Sequence, residues 1–244
     1  MIGIIGGTGL TTLPGFETNS SDWLNTPYGE PSSAISIGTL TGQKLAFLSR
    51  HGNPHSIPPH LINYRANIAA LKQIGVTRLI AVNAVGGIHA KLGPAEVSIP
   101  DQIIDYTYGR EHTLYDAQAE ALEHIDFTHP YSEELRQQLC QCARTENVHF
   151  LDGGVYAATQ GPRLESAAEI QRIKRDGGDM VGMTGMPEAA LARELDIQYA
   201  SIALSVNWCA GLTESLITME DIRLALEAGM NKITLILQRF ISDY

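Results

Sequence analysis

The chain opens MIGIIGGTGL, a short apolar run from Ile2 to Ile5 that passes straight into Gly6-Gly7-Thr8-Gly9. Glycines let a backbone come close to a ligand, and free loop N–H groups beside the Thr8 hydroxyl suit an anion such as phosphate. The same glycines also suit a turn with no ligand. A dinucleotide site would need a third glycine three residues after Gly9 and a helix starting there. Position 12 is Thr, and Pro14-Gly15 interrupts any helix at that point, so a nicotinamide cofactor is not expected.

With 244 residues, 44% apolar and 18% charged, the chain can bury a sizeable core, and no linker or charge run divides it. One domain spanning 1–244 is expected. The formal charge of −10, from 17 basic and 27 acidic side chains, argues against a nucleic-acid or anionic-membrane surface, so an anionic substrate must be held locally. No apolar run is long enough for a membrane span, and the first residues lack a signal-peptide pattern, so a cytoplasmic protein is expected. Cys140, Cys142 and Cys209 form neither a disulfide framework nor a zinc pattern; Cys142 shares an apolar stripe with Leu135 and Leu139 on a helix that Ser132 can cap.

Apolar patterning alternates along the chain. Strands are predicted at Ile2 to Ile5, within Ala34 to Ser49 around a turn at Thr41-Gly42, at Val76 to Val82, around Met180 to Met183 and at Gln198 to Val206. Helices are predicted over Asn63 to Ile74, ended by Gly75, over Glu165 to Lys174, over Pro187 to Glu194, and from Met219 to Ile241 behind a Thr218 cap. A turn is predicted at Gly86-Gly87. This order implies an α/β layered fold, its mixed, largely parallel central sheet flanked by helices.

Polar clusters fall at strand ends, where open α/β sheets place ligands. Ser49-Arg50-His51-Gly52 pairs a planar fork of donors with an imidazole. Asn83-Ala84-Val85-Gly86-Gly87 either presents backbone N–H groups to an anion or is a turn begun by Asn. Thr159-Gln160-Gly161-Pro162-Arg163-Leu164-Glu165 collects an amide, a guanidinium and a carboxylate, with Glu165 placed to favour the N-terminus of the helix that follows. Met183-Thr184-Gly185-Met186-Pro187-Glu188 offers another small hydroxyl at a strand exit, or simply leads into a helix.

The ordered set GGTGL, SRHG with NYRAN downstream, NAVGGI, TQGPRLES and VGMTGMPEAALARE resembles the trimeric purine nucleoside phosphorylase and methylthioadenosine phosphorylase family, from Ile4 to the final helix. The resemblance implies that phosphate attacks the anomeric carbon of a purine nucleoside, releasing the base and a sugar 1-phosphate, with no metal or organic cofactor. It implies a phosphate site at Thr8, Arg50, His51, the Ala84 backbone and Thr184, and a substrate site at Gln160, Leu164, Met183, Asn207, Met219, Ile222 and His124. Asn207, Thr184 and His51 would carry catalysis by positioning and charge stabilisation.

Adenine-specific relatives carry aspartates at the positions of Asn207 and Cys209. Asn207 instead matches the asparagine of 6-oxopurine enzymes, whose amide can donate to O6 and accept from protonated N7. Gln160 stands where the family commonly has Glu, which favours hypoxanthine over guanine. Ile217, Met219 and Ile222 match an apolar 5′ surface suited to a methylthio group, and His124 matches a residue reaching a neighbouring subunit's site, which implies a homotrimer. The expected reaction is therefore phosphorolysis of S-methyl-5′-thioinosine. The alternatives are a broader inosine and guanosine phosphorylase and, of another class, a noncatalytic purine-binding protein, which a full phosphate cradle disfavours.

Overall fold

The computed structural model describes residues 1–10, 12–115 and 122–244. At its centre four strands run parallel: β1 (Ile2–Gly6), β4 (Gln43–Ser49), β5 (Arg78–Gly87) and β11 (Gln198–Trp208). Each is buried along most of its length, as expected of strands covered on both faces. Alternate residues serve opposite layers. Ile4, Phe47, Val82 and Leu204 pack toward α2 (Glu133–Thr145) and α5 (Met219–Ser242), whereas Ile5, Leu48, Ala81 and Ala203 pack toward α1 (Tyr64–Gln73) and α4 (Glu188–Glu194).

Among the described residues the sheet has eleven strands. The hairpin of β2 (Glu17–Asp22) and β3 (Ile35–Leu40) extends it antiparallel beyond β4. Past β5 come β10 (Met180–Gly182), β9 (Val155–Ala158) and β7 (Gln102–Asp105), while β6 (Val97–Ile99) pairs β11 and β8 (Phe150–Asp152) pairs β6. The predicted α/β sheet is thus present, mixed and mainly parallel. No helix among the described residues is long and apolar enough to cross a membrane.

The caps follow local chemistry. Asn63 accepts from the Ala66 N–H at the start of α1, Ser132 from Leu135 at α2, and Thr218 from Asp221 at α5. Gly75, at φ +86°, closes α1 in a left-handed conformation that a side chain would disfavour. Two expectations need correction. α3 runs Ala167–Arg175, capped by a reciprocal Ser166 and Glu169 box, so Glu165 lies outside the helix. Gly86-Gly87 is no turn: β5 continues through both, pairing antiparallel with β10 and parallel with β11.

That longer β5 creates the opening on which the site depends. Along one edge β5 pairs β1 only as far as Ala81 and β10 only from Gly86, while β11 covers the other edge. Residues 82 to 85 therefore face a gap between β1 and β10. The Val82 carbonyl points into this gap, where it accepts from Arg50 Nη1 at 2.9 Å. Backbone groups two residues apart share an edge of a strand, so the Ala84 N–H faces the same way.

Candidate active site

A cleft opens at this gap, at the carboxyl ends of β1, β4, β5 and β11. Gly7 and Thr8 reach it from β1, Arg50 and His51 from β4, Ala84 from β5, Met183 and Thr184 from β10, and Asn207 from β11; Leu164, Glu165, Ile217 and Ile222 complete its wall. All five expected phosphate positions thus meet, together with Leu164, Met183, Asn207 and Ile222 of the expected substrate set.

Arg50 is fully buried. Its Nε and Nη2 donate to the Glu188 carboxylate at 2.7 and 2.8 Å, and the Tyr199 hydroxyl donates to the same carboxylate at 2.9 Å. Burial opposes the guanidinium charge, but Glu188, also fully buried, outweighs it and keeps Arg50 protonated. A guanidinium carries five N–H groups; Glu188 takes two and Val82 one, leaving one on each terminal nitrogen. Glu188 offsets the charge of Arg50, and the two remaining N–H groups, one on each terminal nitrogen, are what it has left to offer an anion. Gly7 makes room for this arrangement, since a Cβ there would lie 2.5 Å from the Val82 oxygen and 2.8 Å from Arg50 Nη1.

His51 Nδ1 lies 2.8 Å from the Ile57 carbonyl, which can only accept, so the proton sits on Nδ1 and Nε2 keeps its lone pair. Burial, together with the Arg50 charge and the His55 ring stacked 4.4 Å away, lowers the His51 pKa to about 4. The imidazole is neutral at pH 7. It offers an acceptor at Nε2, not the extra donor that the Arg-His pair suggests.

Thr184 is oriented from behind. The Ser201 hydroxyl donates to Asn83 Oδ1 and Asn83 Nδ2 donates to Thr184 Oγ1, both at 2.8 Å, with all three residues buried. With its oxygen occupied as an acceptor, Thr184 has its own O–H left to donate. Asn207 Nδ2 donates to the Trp208 carbonyl at 2.8 Å, which fixes the amide plane and leaves Oδ1 and one N–H. Cys209 lines the same wall; burial, with the nearby Glu165 charge, pushes its thiol up to about 12, so it is uncharged.

Three expected substrate residues are not brought into the cleft. Gln160 faces a neighbouring groove, where its Oε1 accepts from the Tyr108 N–H and from Arg110 Nε. Glu165 stands in the cleft instead. Released from helix capping by Ser166 and Glu169, its Oε1 accepts from the Thr159 hydroxyl at 2.7 Å and Oε2 is left for a ligand. Met219 is 76% exposed at the first turn of α5 and does not line the cleft, whereas Ile222, one turn further on, packs against the core and does. His124 is exposed and lies outside the cleft of its own chain.

Sequence reasoning did not assign Glu188 a role. Its one signal was that an Arg placed just after the buried apolar run Leu45 to Leu48 needs a countercharge.

A protein from Pseudomonas syringae named "Probable S-methyl-5'-thioinosine phosphorylase" is 54% identical over 239 residues, covering 98% of this chain and 97% of the other. A 6-oxopurine nucleoside phosphorylase from Pyrococcus furiosus is 44% identical over 226 residues, 91% of this chain and 84% of the other. The structure of Schistosoma mansoni methylthioadenosine phosphorylase in complex with adenine superposes with a TM-score of 0.92 at 31% identity, covering 99% of this chain and 90% of that one. The Phosphorylase superfamily matches residues 1–242, and the chain belongs to the Phosphorylase superfamily.

Proposed function

We propose that the protein catalyses phosphorolysis of S-methyl-5′-thioinosine, giving hypoxanthine and 5-methylthioribose 1-phosphate. The observation that carries this reading is the meeting of Glu165 and Asn207, the base-facing groups, with Thr8, Arg50, His51 and Thr184 in one cleft. Hypoxanthine has an N1–H donor and an O6 acceptor. Glu165 Oε2 accepts from N1–H, and the Asn207 amide accepts from N7–H while its free N–H donates toward O6. Adenine has a lone pair at N1 and would set it against the Glu165 carboxylate, leaving both unmatched.

Phosphate is held by the hydroxyls of Thr8 and Thr184, the Ala84 N–H and the two remaining N–H groups of Arg50. Glu188 already neutralises that arginine, so the anion is held by directed donors more than by net charge. The bare His51 Nε2 accepts from a P–O–H and so favours a protonated form of phosphate. A phosphate oxygen then bonds to C1′ as the bond to N9 breaks. The proton that the attacking phosphate gives up to solvent is balanced by one that purine N7 takes up from solvent, Asn207 Oδ1 accepts from that N7–H so that the base leaves neutral, and the bound anion stabilises the cationic ribosyl ring.

The methylthio group is assigned to Ile217 and Ile222, since Met219 is out of reach. The Pseudomonas relative's name supports this choice. A second reading, phosphorolysis of inosine and guanosine, is favoured by Glu165, because a carboxylate can also accept from a guanine 2-amino group. The preference for hypoxanthine over guanine drawn from Gln160 loses its basis. The match of His124 to a residue reaching a neighbouring site supports a homotrimer, the family resemblance supports phosphate as co-substrate with no cofactor, and we place the protein in the cytoplasm. Specificity constants for methylthioinosine, methylthioadenosine, inosine, guanosine and adenosine test the assignment. Methylthioinosine is expected to rank first, and an adenine nucleoside in that place would overturn it.

A further inference from the structure

Arg110, in the loop after β7, reaches six acceptors with the five N–H groups of its half-buried guanidinium, one N–H on Nη1 being shared between two of them. Nε donates to Gln160 Oε1 (3.1 Å). Nη1 donates to the carbonyls of Met183 (2.8 Å) and Met186 (2.6 Å) and to the Tyr64 hydroxyl (3.1 Å). Nη2 donates to the carbonyls of Thr159 (3.2 Å) and Gln160 (2.9 Å). The guanidinium also stands 5.4 Å from the centre of the Tyr64 ring. Every acceptor is a neutral oxygen, and Arg110 makes no ion pair among the described residues. Solubility or a surface ion pair does not account for such a residue.

The bonded carbonyls belong to two neighbouring segments that continue the paired strands β9 and β10 and lead side by side into the cleft wall. Thr159 and Gln160 lead to Leu164 and Glu165, and the Thr159 hydroxyl itself orients the Glu165 carboxylate. Met183 to Met186 carry the Met183 and Thr184 side chains of the cleft. We propose that Arg110 is a positioning residue, clamping the purine-facing Glu165 segment and the ribose- and phosphate-facing Met183-Thr184 segment at one fixed separation. Its own side chain does not line the cleft. Gln160, which sequence alone placed on the base, is then part of the clamp. The planar fork is essential, because a lysine ammonium offers three donors from one point and cannot span acceptors on two segments. Displacing reacting groups by about 1 Å can lower rates about a hundredfold, so such a tie has leverage over catalysis.

This inference rests on the function proposed above. Its test is calorimetric titration of hypoxanthine and of inorganic phosphate, separately, into the wild-type protein, Arg110→Lys and Arg110→Gln, with melting temperatures measured alongside. Both ligands are expected to weaken about tenfold or more in both variants, a loss of about 1.4 kcal/mol or more for each. Gln160→Ala removes one acceptor from the base-side segment and leaves Arg110 in place; it is expected to weaken hypoxanthine more than phosphate. A purely structural arginine would lower the melting temperature and leave both affinities alone. Folded Arg110 variants that bind both ligands within about twofold of wild type, or full rescue by Lys, would overturn the clamp. If Arg110→Gln does not fold, Arg110→Lys and Gln160→Ala carry the same test. A wild-type protein that binds neither ligand would overturn the functional reading itself.

Discussion

Replacing Glu188 by Gln removes one charge from a pair in which both side chains are fully buried, with contacts of 2.7 and 2.8 Å. Breaking such a pair from one side leaves the other charge uncompensated and costs about 3–5 kcal/mol. At roughly 2–4 °C per kcal/mol for a chain of this size, the melting temperature should fall by about 6–20 °C. The unpaired guanidinium then becomes the strongest anion site in the cleft. Phosphate should therefore raise the melting temperature of Glu188→Gln more than that of wild type, by mass action on the folded state. The double variant Arg50→Met/Glu188→Leu removes both charges. It should recover most of the lost stability, within about 1–2 kcal/mol of wild type, while losing its response to phosphate. Urea denaturation with and without phosphate measures all three proteins. A loss below about 1 kcal/mol in Glu188→Gln, or a double variant no more stable than the single one, would refute the pairing as the organiser of Arg50.

Glu165→Gln should lower kcat/KM for methylthioinosine by the worth of a charged hydrogen bond, about 1.5–3 kcal/mol or roughly 10- to 150-fold, with steady-state kinetics as the check. Ile222→Ser should reduce methylthioinosine relative to inosine by about four- to tenfold, as expected for losing cover over one methyl group, and Met219→His should leave that ratio unchanged; the ratio of specificity constants decides both. His51 gives a pH signature. Its folded pKa, about 4, lies below the ordinary 6.5, so between these values the unfolded state binds more protons and stability falls as the pH falls. The loss should amount to about 3 kcal/mol across that window in wild type and be absent in His51→Gln, measured by urea denaturation at pH 7, 5.5 and 4.

Most of the layered fold was legible because its central strands contain continuous apolar runs and four of its helices, α1, α2, α3 and α5, are preceded by a capping side chain. Strand β2 was not, since every one of its residues is exposed and polar patterning there resembles a loop. The extension of β5 through two glycines was hidden for a related reason: Gly86-Gly87 looks like a turn locally, and only pairing to strands distant in sequence keeps it extended. At the site, strand ends and the ordered motifs located Thr8, Arg50, His51, Ala84, Thr184 and Asn207. What remained invisible was direction. Gln160 and Glu165 lie in one short motif, and which of them faces the cleft depends on the Ser166 cap and on Arg110, 50 residues upstream of Gln160. Likewise, the first residue of a helix cannot be assigned to the core or to solvent by spacing alone, which is why Met219 was misplaced and Ile222 was not.

In the proposed reaction, phosphate seated among Thr8, Arg50, His51 and Thr184 attacks the sugar. Phosphorus NMR of a reaction containing the protein, S-methyl-5′-thioinosine and inorganic phosphate tests this most directly, with hypoxanthine followed in the same tube. The predicted result is a sugar 1-phosphate resonance that grows in step with hypoxanthine and is absent, with no base released, when phosphate is omitted. Hypoxanthine released without phosphate and without a sugar phosphate would show hydrolysis and contradict the account.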